Sequence, residues 1–179
     1  MTKARWTVDR AHSSVSFWVR HMMVAKVHGR FTRWQALVEL DEDAPSSCSV
    51  DATIDAASID TWEDARDQHL RSPDFLDVEQ HPAITFRSTK VELAGEGRYR
   101  VVAEMTIRGT TRPAVLEVEH AGRVTDPWGH ECVGFSARTT IQRRASGLTW
   151  NQALEAGGVM ISDRIEITVE IEAVREPAR

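Results

Sequence analysis

Apolar and polar residues alternate along most of this chain. The cleanest stretch lies near its end, where Ile165, Ile167, Val169 and Ile171 are separated by Glu166, Thr168 and Glu170. A period of two sends successive side chains to opposite faces, so this segment predicts a strand with one dry face and one wet one. Val15, Phe17 and Val19 alternate with Ser14, Ser16 and Arg20 in the same way, with Trp18 on the polar side. Softer alternation marks six further runs. Residues 31–40 carry Ala36, Val38 and Leu40 on one face, and 50–56 carry Val50, Ala52 and Ile54. Residues 82–93 hold Ile84 and Phe86, and 99–108 place Val101, Ala103, Met105 and Ile107 together. Leu116 and Val118 face one way in 114–120, as do Phe135, Ala137, Thr139 and Ile141 in 132–141.

Turn chemistry separates these runs. Pro45 lies in the link 41–47, Gly95-Glu96-Gly97 is a short hairpin loop, and Asp126-Pro127-Trp128-Gly129 has Asp, Pro and Gly where a type I turn wants them. Eight strands with hairpin-length links read as an antiparallel meander. One segment departs from it. Residues 61–71, TWEDARDQHLR, predict a helix with Thr61 as N-cap, Glu63 and Asp64 in the first turn, and an Asp67–Arg71 pair at i,i+4. Ser72-Pro73 ends it, and 74–78 forms another turn, so a short helical insertion is expected near 61–78.

Closing a meander removes its edge strands. An eight-stranded barrel can be filled by side chains or can hold one small ligand. The inward positions mix Phe17, Phe86 and Met105 with Ala52, Ala103 and Ala137, and the small residues leave room inside. The expected fold is therefore mainly β, a single antiparallel eight-stranded barrel over residues 1–179 as one domain.

Composition narrows the partners. With 22 basic and 27 acidic side chains the net charge is −5, without the basic face that a phosphate backbone needs, so nucleic acid is not expected and charge gives no reason for an anionic membrane surface. No apolar run is long enough to span a bilayer, and residues 1–10 contain no signal-peptide core, which sets a cytoplasmic expectation. The two cysteines, Cys48 and Cys132, form no C-x-x-C and suit a reducing compartment, with a single disulfide left open.

Catalytic and metal signatures are missing. The seven histidines include no H-x-H and no H-E-x-x-H, and neither G-x-S-x-G nor a phosphate-binding Gly-rich loop occurs. No metal and no required cofactor are expected. Arg66, Asp67 and His69 form the one concentrated polar cluster, either a polar mouth for a ligand or charged residues pinning the helix to the barrel. Leu70 and Phe75 suit a lid over the cavity as well as ordinary packing. Among six tryptophans, Trp150 near Gly157-Gly158 is placed at the entrance, while Trp18 and Trp34, on polar-leaning faces, are candidates for a dimer surface or for plain exposed aromatics.

The chain resembles the YceI-like family over nearly its whole length. The resemblance is carried by Trp6-Thr7-Val8-Asp9, His12-Ser13, Val27-x-Gly29-x-Phe31, and Ser58-Ile59 with Thr61. Its strongest block runs from Arg66-Asp67 through His69-Leu70, Ser72, Asp74-Phe75 and Asp77-Val78 to Pro82, Ile84, Phe86 and Ser88-Thr89. Ile107-Arg108-Gly109-Thr110-Thr111, Gly147-Leu148 with Trp150-Asn151, and Ser162-Asp163 follow in order. The resemblance implies a lipocalin-like barrel that wraps a long-chain isoprenoid, an isoprenoid quinone or a similar polyprenyl lipid without transforming it, and a homodimer. Many relatives carry an export signal that is not visible here. Ser146, where relatives often have Phe, and His81, where an aromatic before Pro is common, depart from the pattern and bear on pocket shape.

The inward faces then become expected ligand contacts. Val15, Phe17, Val19 and Phe31 serve the first strands, and Ile54 and Ile59 the next. Arg66, His69, Leu70 and Phe75 come from the helical insertion. Ile84, Phe86, Met105, Ile107, Phe135 and Ile141 follow on later strands, with Trp150 at the entrance. Two other readings stand beside sequestration or transport: an acid–base enzyme using the Arg66, Asp67 and His69 cluster on an apolar substrate, and a stress-related interaction module with a filled core.

Overall fold

The alternating run at the end of the chain becomes the longest part of the barrel wall, and its two halves have different neighbours. The computed structural model describes residues 3–41, 43–155 and 157–177. The elements in chain order are β1 (Ala4–Val8), β2 (Ser14–His21), β3 (Ala25–Phe31), β4 (Trp34–Leu40), β5 (Ser49–Asp55), β6 (Ile59–Asp60) and α1 (Asp64–Arg71), then β7 (Ala83–Gly95), β8 (Arg98–Ile107), β9 (Thr110–Thr125), β10 (Glu131–Gln142) and β11 (Ile161–Arg175). β11 pairs along one edge with β10 throughout. Along the other edge it meets β2 from Ile161 to Glu170 and β1 from Ala173 to Arg175.

This double partnership shows how eleven segments make eight long strands. β1 and β2 are one strand interrupted by a 3-10 turn at Arg10–His12, whose N–H at Ala11 is capped by Asp9 Oδ1 at 2.9 Å. β3 and β4 are likewise one strand broken at Thr32-Arg33. β5 and β6 are a third, broken by the 3-10 turn Ala56–Ser58 that Asp55 caps. The breaks are stitched together: Ser58 O accepts from Thr32 N, and Ser58 Oγ accepts from Arg33 N at 3.1 Å. Three neighbouring strands thus turn a corner at one level, each using a short polar side chain to satisfy the backbone that leaves the ladder. Bulges at Thr89 in β7 and at Ala121 in β9, opposite Gly134 and Phe135 of β10, add curvature. Each of the eight long strands pairs antiparallel with the next along the chain, and β11 returns to β1–β2 to close the barrel.

The eight expected strands are present, with two adjustments. The run 31–40 is a strand that begins earlier, at Ala25, and breaks in its middle. Trp34 was expected on the polar face, but it shares parity with Ala36, Val38 and Leu40 and points inward, 7% exposed. It cannot mark a dimer surface. Trp18 does face outward, opposite His28 on β3.

The helix also starts differently. Glu63, not Thr61, is the N-cap, accepting from Ala65 N at 3.2 Å and Arg66 N at 2.9 Å. Asp67 and Arg71 do not pair. The buried Asp67 carboxylate accepts from Thr61 N at 3.0 Å and from Thr61 Oγ1 at 2.5 Å, while Arg71 donates to the carbonyls of Ala57 and Ile59. Pairing along the helix surface is worth only a few tenths of a kcal/mol. Reaching across to otherwise unsatisfied buried groups gains more. Residues 72–78 fold into turns, with Phe75 N and Asp77 N both donating to Ser72 O.

Candidate functional site

Three apolar clusters lie within the barrel. One gathers Ile59, Phe75, Leu76, Ile84, Ile107 and Leu148 under the helix, another Trp6, Val38, Val133 and Ala173, and the third Phe86, Val91, Val101 and Ala103. They do not fill the interior. A cavity of about 1010 Å³ remains, walled by the inward side chains of the strands. That is at the top of the range of roughly 300–1,000 Å³ usual for small-molecule pockets.

Period two in the sequence becomes wall in the structure. Ile165, Ile167, Val169 and Ile171 all face the cavity, and Ala52 and Ala137 leave space between larger neighbours. Each residue expected to contact a ligand lies on this wall: Val15, Phe17, Val19 and Phe31; Ile54, Ile59, Ile84 and Phe86; Met105, Ile107, Phe135 and Ile141; and Arg66, His69, Leu70, Phe75 and Trp150 at the helical end. Trp34, Val101, Leu116 and Val118 belong to it as well and were readable from parity alone. Arg20, His21, Tyr99, His120, Arg123 and Arg143 also line it. His21, Tyr99 and His120 continue the inward parity of Val19, Val101 and Val118, whereas Arg20, Arg123 and Arg143 carry no period-two signal that separates them from solvated positions.

The helical end is closed by rings. His69 meets Phe75 edge-on at 5.0 Å and Trp150 edge-on at 4.7 Å, and Phe75 and Trp150 are 5.3 Å apart. His69 Nε2 is 2.8 Å from Asp74 Oδ2. Arg66, although on the wall, is held in place: its Nε donates to Thr61 Oγ1 at 2.8 Å and its Nη2 to Thr61 O at 2.7 Å. Asp67 does not line the cavity and accepts from the Thr61 hydroxyl that also accepts from Arg66, so the cluster divides. Asp67, Arg66 and Arg71 pin the insertion to the barrel, and His69 is left among the aromatic rings. Arg108, in the tight turn with Gly109 after β8, donates to Phe75 O at 2.8 Å and ties the lid to the next hairpin. His81 packs at that turn, where a Cβ on Gly109 would stand 2.8 Å from its ring.

A second device holds the opposite rim of the lid. Arg143 is 2% exposed and donates to four carbonyls, those of Leu148, Trp150, Ile161 and Ser162, at 2.6–3.1 Å. Burial depresses its guanidinium pKa, partly offset by Asp163. Ser146, also buried, lies in the 3-10 turn 143–146 that starts this loop, and Gly147 ends the turn with a left-handed φ of 81°. Both cysteines are free thiols, and burial pushes each pKa up. One group of potential metal ligands, Asp9, His12 and Glu172, sits near the corner of the barrel, and none of the three lines the cavity.

A closed up-and-down barrel around a large apolar cavity, with a short helix over one end, defines a class of β-barrel proteins with a hollow, apolar interior. Within that class the chain belongs to the YceI-like family, whose domain model matches residues 6–173. It is 38% identical over 168 residues to a UPF0312 protein of Staphylococcus aureus, covering 93% of this chain and 95% of that one. Among solved structures it is similar to the YceI protein of Campylobacter jejuni, with a TM-score of 0.76, 28% identity and coverage of 88% and 90% of the two chains. It shares the fold of BcnA from Burkholderia cenocepacia, with a TM-score of 0.81 at 24% identity over 92% and 98%. It also shares the fold of a polyisoprenoid binding domain from Saccharophagus degradans, with a TM-score of 0.64 at 16% identity over 96% and 98%. No helix among the described residues is long and apolar enough to cross a membrane.

Proposed function

We propose that this protein binds a long apolar molecule, a polyisoprenoid or isoprenoid quinone, inside the barrel and sequesters or carries it without chemical change. The observation that carries the reading is the cavity of about 1010 Å³ with almost continuous apolar walls from β2 to β11. The family and the polyisoprenoid binding domain that shares its fold support the same class of ligand. Burying one methylene is worth about 0.8 kcal/mol against water, so an isoprenoid chain gains far more than association costs. A bilayer offers the same apolar surroundings, so exchange between the two is close to balanced, as a carrier needs. The polar end of the ligand belongs beside His69 and Arg66, the wall's polar groups under the lid.

The test is native mass spectrometry of gently purified protein, followed by organic extraction of what is bound. A defined isoprenoid at near one per chain is the expected result. Protein that is empty and also refuses added geranylgeraniol or ubiquinone overturns the reading. His69 on the wall, hydrogen-bonded to the exposed Asp74 outside it, favours a second reading, acid–base chemistry on an apolar substrate. His69→Ala separates the two: loss of turnover with unchanged lipid content speaks for the enzyme.

A further inference from the structure

The hairpin joining β2 to β3 ends in three successive apolar residues that are largely exposed, although the Met23 thioether lies against Gly158 of the facing loop. Met22, Met23 and Val24 are 44%, 59% and 81% exposed. Hairpin tips ordinarily carry Asn, Asp or Gly, above all where φ is positive. Here Met22 and Met23 both take positive φ, at 50° and 63°, although neither is glycine. Exposed apolar side chains in a conformation that favours other residues point to a contact outside the chain.

The charges around the tip say what kind of contact. From Arg10 to Val38 the chain has five Arg or Lys residues and no Asp or Glu, in a protein whose net charge is −5. Arg30 and Arg33 are paired with Asp60 and Asp55, further from the tip. Arg20 and Lys26 face each other across the ladder two residues from the apolar tip, and both sit over Trp18, with Lys26 Nζ 4.2 Å from the ring centre. The nearest acid on the neighbouring strand, Glu166 opposite Trp18, is hydrogen-bonded by Arg164 and Thr140 and is also drawn to Lys26 by charge without pairing with it directly. The loop facing the tip contributes Glu155. An apolar tip with a tryptophan and two cations behind it is the arrangement that seats a protein in the interface of an anionic bilayer.

The tip is also joined to the cavity. Met22 N donates to Met160 O at 2.7 Å, and Met160, His21 and Arg20 line the cavity wall. β3 is paired with β6 only at Arg30 and Phe31, so among the described residues its edge from Ala25 to Gly29 has no strand beside it. The ladder is interrupted at this place, beside cavity-lining Val27.

We propose that the tip Met22-Met23-Val24, with Trp18, Arg20 and Lys26, docks the barrel on an anionic phospholipid bilayer, with the unpaired edge of β3 as the passage between membrane and cavity. The proposal takes its purpose from the carrier reading, but its test does not depend on it. The measurement is flotation with vesicles of phosphatidylcholine alone and of phosphatidylcholine with phosphatidylglycerol in equal parts. The wild type floats with the anionic vesicles and is released by salt. Met23→Asp/Val24→Asp lowers binding by about tenfold or more. Arg20→Ala/Lys26→Ala lowers it by roughly tenfold on anionic vesicles and removes the salt dependence. Circular dichroism confirms that both variants fold, and the aspartate variant still takes up solubilised geranylgeraniol. Failure of that uptake in the wild type, with tip-dependent flotation intact, removes the carrier reading and leaves the docking. A wild type that ignores anionic vesicles, or an aspartate variant that binds like it, overturns the docking. So does a wild-type dimer that ignores vesicles and falls to monomers with the aspartates, which makes the tip a self-interface.

Discussion

Phe17 lies across Gly29, its partner in the β2–β3 ladder, with its ring over the position a side chain at residue 29 would occupy. A Cβ there would overlap Phe17 Cζ. Gly29 is not among the glycines with positive φ, so backbone conformation is not what demands it. Gly29→Ala therefore acts through the ring alone, pushing Phe17 off its place 5.7 Å from Phe31. The expected cost is about 1–3 kcal/mol in urea denaturation. Adding Phe17→Leu recovers part of it, and strict additivity of the two changes would show that the ring is not the cause.

Asp67 holds the lid's base. Asp67→Ala leaves the N–H and hydroxyl of buried Thr61 without their acceptor, and the expected loss is about 2–4 kcal/mol of stability. Hydrogen exchange should rise first in residues 61–71 while the barrel strands stay protected. Uniform loosening of the whole chain would place the Asp67 contribution elsewhere.

Arg143 gathers four carbonyls from its buried position, sharing only that of Ile161 with the Asn151 side chain. Arg143→Met removes every donor at once and should cost upwards of about 3 kcal/mol. Arg143→Lys keeps the charge but lacks the planar fork, so it recovers only part of the loss. Thermal denaturation of the two variants beside the wild type checks the order.

Ala137 is a small residue on the cavity wall, 6% exposed, midway along β10. Ala137→Trp points a large ring into open space and not into packed core, so folding survives while the room for a guest shrinks. The expected outcome is a loss of co-purifying or added isoprenoid in native mass spectrometry with an unchanged circular dichroism spectrum. Full retention of lipid would mean that the guest does not occupy the middle of the barrel.

The corner between β1 and β2 carries a pH-dependent pair. The hydrogen bond to Asp9 and its negative charge, helped by Glu172, raise the His12 imidazole above its ordinary value, and the same bond lowers Asp9. The stability that protonated His12 contributes is complete below the histidine's unfolded pKa and fades as pH rises through its folded value. The Asp9 contribution is present above the unfolded aspartate value and fades as pH falls through the lowered one. Both groups are exposed and screened, so the effect on stability is small. NMR titration of His12 reads it directly, and Asp9→Asn should return the ring toward ordinary behaviour.

Much of this protein is decided by alternation alone. Strands such as β8, β10 and β11 bury one face, so a period of two both creates the strand and says which side chains line the interior, and even Trp34 obeys its parity with Ala36 and Val38. The tight turns at Gly95–Gly97 and Asp126–Gly129 were equally local, because their backbone chemistry depends on a few adjacent residues. What the sequence leaves open is whatever depends on partners far along the chain. The corner where β1–β2, β3–β4 and β5–β6 bend together needs Ser58 to reach Thr32 and Arg33. The lid's cap and the use of Asp67 depend on Thr61 being buried against the barrel, and Arg143 depends on a loop that returns up to 19 residues later. The size of the cavity is the furthest from the sequence, since empty volume is what remains after every wall has packed, and only closure of β11 onto β1 and β2 determines it.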